Sequence, residues 1–264
     1  MQLRLLAIYC WFIVRLLLIL PALPLIYWLG KKIKAEIPDL PEAALHKKGS
    51  MGPDANSSHV LLVGESSIAG VGIDDHMQGI PGSIGEMYGN EGLGFSWQVI
   101  ARSGFKAIDV IEQLVPQLPD SQADFVILGL GGNDTFQVTP PWRWRKHMKQ
   151  LIAILRQHYP EATVIVSAMP PVADFPVFPP ILRGFMGGQV NMLRLTIQDF
   201  PLQFDRLSYF GDKVRMQEWV ANSDGLKMED FFSDGVHPSS LTYRLIGEAI
   251  GAEMLKIREV PSNV

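Results

Sequence analysis

A single cysteine, Cys10, occurs in the 264 residues. It cannot form an intrachain disulfide, and no thiolate-based metal site can be built from it. Excess positive charge is also missing: 23 Lys and Arg stand against 27 Asp and Glu, a formal net charge of -4. A chain so balanced has no general attraction for polyanions, which removes nucleic acid as the default partner. Nucleotide-binding glycine signatures are incomplete as well. "GLGGND" and "AGVG" stop short of G-x-G-x-x-G, and no G-x-x-x-x-G-K-[ST] is present. The strand-to-helix elbow G-x-S-x-G fails because Ile68 stands where its last glycine belongs. There is no internal repeat and no low-complexity tract. What the chain has in plenty is apolar residues, 47% of the total, enough for a packed core and too many for a disordered chain.

The longest apolar run, "LLAIYCWFIVRLLLILPALPLIYWL" from Leu5 to Leu29, is long enough as a helix to cross the roughly 30 Å hydrocarbon layer. About fifteen Leu, Ile, Val and Phe residues at roughly -0.3 to -0.6 kcal/mol each outweigh the about +2.5 to +3.5 kcal/mol expected for a central Arg15. Pro21 and Pro24 are expected to kink the second half, which keeps an interfacial or re-entrant helix as the other reading. A cleaved signal peptide fits less well, since the run is long and no small-x-small pattern follows. Arg4 alone precedes the run, whereas Lys31, Lys32, Lys34, Lys47 and Lys48 follow it. By the positive-inside rule the main domain is expected on the cytoplasmic side of a single-pass membrane anchor.

The anchor is expected to occupy residues 1–34. The next stretch, 35–58, mixes proline, glycine and polar residues without a sustained apolar period and reads as a linker. From 59 to 264 short apolar runs alternate with longer periodic ones. "HVLLV" (59–63), "WQVIA" (97–101), "DFVILGL" (124–130) and "TVIVSAM" (163–169) read as buried strands. Segments 107–115, 140–158 and 239–257 read as helices, the second opening on prolines tolerated in a first turn. Alternation of this kind predicts an α/β fold, a three-layer α/β/α sandwich around a central parallel sheet. In such sheets function collects in the loops at the strand C-terminal ends.

Four such loops carry polar residues and glycine: Gly64, Glu65, Ser66 and Ser67; Arg102, Ser103 and Gly104; Gly131, Gly132, Asn133 and Asp134; and Asp234 with His237 in "FFSDGVHPSS". A serine hydroxyl needs a base to take its proton and a third group to fix that base's tautomer. His237 and Asp234 are the residues that supply these functions. The oxyanion of a tetrahedral intermediate needs donors, for which the Ser66 and Gly104 N–H groups and the Asn133 amide are suitable. Ser67 rivals Ser66 on composition alone.

The ordered set "GESS" (64–67), Gly104 in "ARSGF", "GGND" (131–134) and "DGVHP" (234–238) resembles the SGNH, or GDSL-type, hydrolase superfamily over roughly residues 59–257. The resemblance implies a flavodoxin-like α/β/α sandwich and an esterase or lipase activity on ester substrates. It implies Ser66 as nucleophile, Ser66, Gly104 and Asn133 as oxyanion donors, and Asp234 with His237 completing a catalytic triad. No cofactor and no metal are implied. Glu65 departs from the family's aspartate and Ser67 from its leucine, which bears on local geometry. Acyl transfer by the same triad, and a membrane-tethered binding domain without turnover, are the other readings. Oligomeric state is not indicated.

Three further stretches carry weaker signals. Asp74, Asp75 and His76 are adjacent and read as a solvated loop, because neighbouring residues rarely point at one ion. Arg143, Arg145, Lys146 and Lys149, interleaved with Trp142 and Trp144, read as a solvated helix face, with membrane-surface contact second. Residues 170–188, rich in Pro, Phe and Gly, read as an irregular loop able to wall an acyl or alcohol pocket.

Overall fold

The computed structural model describes residues 2–54, 56–211 and 216–259. The chain opens with helix α1 (Gln2–Ile19) and, across one tight turn containing Pro21, helix α2 (Leu23–Glu36). Strand β1 (Lys48–Met51) and strand β2 (Ser58–Gly64) follow. The remaining helices are α3 (Ser66–Ala69), α4 (Ile80–Asn90), α5 (Ala107–Asp109), α6 (Gly132–Phe136), α7 (Pro141–His158), α8 (Pro180–Ile197), α9 (Met216–Ala221) and α10 (Ser240–Glu259). Strands β3 (Phe95–Ala101), β4 (Phe125–Gly129), β5 (Thr163–Val166) and β6 (Leu207–Tyr209) complete a six-stranded sheet in the order β1-β3-β2-β4-β5-β6. All neighbouring pairs are parallel except β1 against β3.

The strand residues are apolar on both faces because both faces are covered. Leu61, Val63, Val126, Leu128, Val164 and Val166 pack with the 107–114 segment, α7 and α8. Their chain neighbours Val60, Leu62, Phe125, Ile127 and Ile165 point the other way, against α4 and α10. This alternation along each strand produces the three layers. Glycines let the second pair of helices lie close: a Cβ on Gly247 would sit 2.7 Å from Ser83 Cβ and 2.9 Å from the Ile80 carbonyl.

The structure corrects the sequence reading in several places. The 35–58 stretch is not a free linker. Its Lys48–Met51 segment pairs with β3, Ala43 is buried, and the Ala43 N–H bonds to the Ala69 carbonyl at 3.0 Å. The 107–115 helix is a short α turn followed by a wider five-residue helical turn, Val110–Leu114, and a tight turn ending at Gln117. Pro116 lacks the N–H that a continuing helix would use. The 170–188 stretch is irregular only as far as Pro179, after which α8 begins with Pro180 at a position that needs no N–H donor.

The interleaved cations on α7 are not a uniformly solvated face. Trp144 is fully buried, and Arg145 is buried with its guanidinium on both Asp199 oxygens at 2.6 and 2.8 Å. Trp142 makes T-shaped ring contacts with Tyr9 and Phe12 from α1. Asp75 caps the turn at Met77 and meets His46 Nδ1 at 2.8 Å.

The apolar N-terminal run spans Gln2–Glu36 and is the one helical stretch among the described residues long and apolar enough to cross a membrane; a signal sequence has the same character. It does not stand free of the body. Arg15 donates to the Gly184 and Phe185 carbonyls of α8, and its guanidinium lies over the Phe185 ring at 4.8 Å. Gly188 makes room for it, since a Cβ there would come within 2.8 Å of the guanidinium. Ile26 and Ile33 of α2 join a separate apolar cluster with Phe175, Phe178, Leu182 and Phe185.

Candidate active site

Strand β2 ends at Gly64, and the chain turns at once into α3. A side chain at Gly64 would run into the Gly129 carbonyl and lie 2.7 Å from Ile68 Cγ1. Glycine at this point therefore allows β2, β4 and the α3 turn to converge. Ser66 is the first residue of α3, where helix N–H groups lack intrahelical acceptors. Neither the Ser66 N–H nor the Gly104 N–H has a hydrogen-bond acceptor among the described residues. Gly104 holds φ +85°, with nothing within 4 Å of where a Cβ would be.

The loop before α10 supplies the imidazole. Asp234 Oδ2 meets His237 Nδ1 at 2.7 Å, while Asp234 Oδ1 accepts the N–H groups of Val236 and His237 at 2.9 and 2.7 Å. Burial alone would raise the Asp234 carboxyl. The hydrogen bonds from the His237 ring and backbone, with that of Val236, outweigh it and hold the group below its ordinary value. With Nδ1 on the carboxylate, Nε2 is the nitrogen left to exchange a proton. Ser66, Ser67, Gly104, Asn133 and His237 line one cavity of about 1260 Å³. No hydrogen bond joins the Ser66 hydroxyl to His237 among the described residues.

Asn133 stands differently from its two companions. Its side-chain Nδ2 donates to Glu65 Oε2 at 2.6 Å and to the Phe105 carbonyl at 3.2 Å, so both amide hydrogens have acceptors within the protein. The same Glu65 carboxylate receives the Gly132 N–H at 2.6 Å and the Asn133 N–H at 2.9 Å. A buried carboxylate beside the serine thus braces the start of α6. Burial pushes the Glu65 carboxyl up to about 7 against the opposing pull of the Asn133 and Gly132 N–H bonds. The sequence marked Glu65 only as a departure from a family pattern. The available signal was an acidic residue at a strand end facing a Gly-Asn turn of the adjacent strand. Asp134, which the sequence left unassigned, accepts the Ala107 N–H at 2.9 Å and ties α6 to α5.

The strand ends of the sheet thus bring a serine, an imidazole–carboxylate pair and backbone N–H groups without acceptors to one region, residue types that nucleophilic acyl chemistry uses. The chain belongs to the GDSL-like Lipase/Acylhydrolase family, whose pattern matches residues 62–245. Solved structures share the fold at low identity. The structure of TesA superposes with a TM-score of 0.57 at 18% identity, covering 75% of this chain and 99% of that one. A member of the lipolytic protein G-D-S-L family from Veillonella parvula DSM 2008 gives 0.56 at 15%, covering 76% and 98%. The acetyl xylan esterase AlAXEase gives 0.54 at 16%, covering 74% and 98%. A comparison with curated protein sequences finds no match.

Proposed function

We propose that this protein is a membrane-anchored carboxylic ester hydrolase working through an acyl-enzyme. Ser66 attacks the ester carbonyl as His237 Nε2 takes its proton. Asp234 holds the ring through Nδ1 and stabilises the imidazolium. The Ser66 and Gly104 N–H groups and the Asn133 amide receive the oxyanion, the last by exchanging its long bond to the Phe105 carbonyl for one to the substrate. His237 then protonates the leaving alcohol, and water activated by the same nitrogen releases the acid. The observation that carries this reading is that Ser66 and His237, distant in sequence, line one cavity, with Asp234 behind the imidazole on Nδ1. Ser67 lines the same cavity, and the family pattern supports Ser66 as the nucleophile. A panel of esters with wild type and Ser66→Ala tests the assignment, alongside labelling by a fluorophosphonate. Activity and label should both vanish in Ser66→Ala; label retained there and lost in Ser67→Ala would move the nucleophile by one residue.

The membrane assignment rests on residues 5–29 and on the exposure of Leu3, Leu17, Leu18 and Trp28 along the N-terminal helices. Lysines 31, 32 and 34 favour the cytoplasmic face for the body. Protease protection in sealed inverted vesicles tests this: the 37–264 portion should be digested from the outside.

A further inference from the structure

The N-terminal apolar segment does more than its hydropathy requires. Leu23, Ile26, Gly30 and Ile33 recur at intervals of three and four, which sets them on one side of α2, and Ile37 follows just past its end. All five line the cavity that contains Ser66 and His237. The facing wall comes from the body, with Phe175, Phe178, Leu182, Phe185 and Met186. The opposite side of the same helix looks outward, with Leu25 48% and Trp28 58% exposed. One helix therefore gives the cavity an apolar stripe, flanked by Tyr27, Lys31 and Lys34, and turns Leu25 and Trp28 to the surroundings.

Size and lining point to one occupant. At about 1260 Å³ the cavity exceeds the roughly 300–1,000 Å³ usual for small-molecule sites. Its far walls are branched aliphatic and aromatic side chains, a lining that rewards apolar length. At Gly30 an added Cβ would meet nothing within 4 Å. That helical position costs about 1 kcal/mol relative to alanine, and it leaves open volume in the middle of the wall.

We infer that α2 forms one wall of an acyl-chain chamber, so that the substrates are esters of long-chain amphiphiles whose tail lies between α2 and the Phe175–Met186 segment while the carbonyl reaches Ser66. This deepens the ester-hydrolase reading and rests on it for the chemistry, though not for the binding. An N-terminal segment of this kind selects substrate as well as anchoring the enzyme, and its outward face sets the chamber beside the hydrocarbon from which such a tail would come.

Two measurements on the full chain in nanodiscs test it. The first is kcat/KM for p-nitrophenyl acetate, octanoate and palmitate in wild type, Gly30→Phe and Leu25→Phe. Filling the wall should lower the palmitate-to-acetate ratio about tenfold or more, while Leu25→Phe, on the outward face, should leave it unchanged. The second is binding of the fluorescent fatty acid cis-parinaric acid to Ser66→Ala, with and without Gly30→Phe, which should weaken about tenfold or more in the double variant. An unchanged ester ratio together with unchanged fatty-acid affinity overturns the chamber, as does an equal ratio shift in Leu25→Phe. Gly30-dependent fatty-acid binding in a protein that hydrolyses none of the three esters upholds the chamber and overturns the hydrolase reading.

Discussion

Glu65 has conflicting demands placed on it. It is almost wholly buried, which favours the neutral acid, yet three N–H groups of residues 132 and 133 point at its oxygens, which favours the anion. Burial wins in part, and the carboxyl sits at about 7 instead of 4.5. A folded-state value above the unfolded one means the folded protein holds the extra proton between about 4.5 and about 7. Stability therefore falls as pH rises through that window and is lowest above it. Replacement by glutamine removes the titration. Tm of wild type minus Tm of Glu65→Gln should become more negative from pH 5 to pH 8, and a flat difference would show that Glu65 keeps one charge state. Asn133 hangs on the same carboxylate. If it serves the oxyanion, Asn133→Ala should lower turnover on the order of 10²- to 10³-fold with the fold intact by circular dichroism. The sequence put Ser66, Asp234 and His237 forward as candidates through the order of their motifs, and the structure brings Ser66 and His237 to one cavity with Asp234 on the imidazole. The sequence could not show the brace, since a carboxylate that works by accepting main-chain N–H groups leaves no trace in its partners' side chains.

Among the elements, the turn from β2 into α3 depends on the missing side chain at Gly64. Gly64→Ala puts a methyl against the Gly129 carbonyl, and relief requires parting β2 from β4 or lifting the serine-bearing turn. The expected cost is about 1–3 kcal/mol, read as a lower Tm, with activity falling as Ser66 moves. A variant of unaltered Tm and activity would show that the strands accommodate the methyl. The central strands were plain from their unbroken apolar runs. Strand β1 was hidden because "KGSM" carries no apolar alternation; it is held by backbone pairing with β3 and by Met51 packing on the core. Helix α8 was obscured by the Phe- and Pro-rich residues ahead of it, although Pro180 marked its first turn. The 107–115 segment misled in the opposite sense, its helical period being real while Pro116 prevented a regular continuation.

In the whole molecule, the N-terminal helices and the body share apolar surface instead of meeting only through a tether. Ile26 and Ile33 are buried against phenylalanines of the 175–185 segment, and Ile8 and Phe12 against Met192. Burying one such side chain contributes roughly 1.5–3 kcal/mol. A chain beginning at Ile37 should consequently denature at a lower temperature than the full chain in the same detergent, and should bind more of a hydrophobic dye at its newly uncovered face. Equal denaturation temperatures would make the two parts thermodynamically independent. The apolar length of the first helices was evident from sequence, whereas their packing on the body was not, because an inward-facing isoleucine and an outward-facing one read alike.

Arg15 has a mechanical consequence. A guanidinium pinned to two carbonyls of α8 and laid over a ring indexes α1 to the body as a key indexes a shaft. Turning the helix about its own axis would pull that charge from its acceptors into apolar surroundings. Where the helix goes, the candidate site is carried with it at a set azimuth, like a blade fixed to its handle.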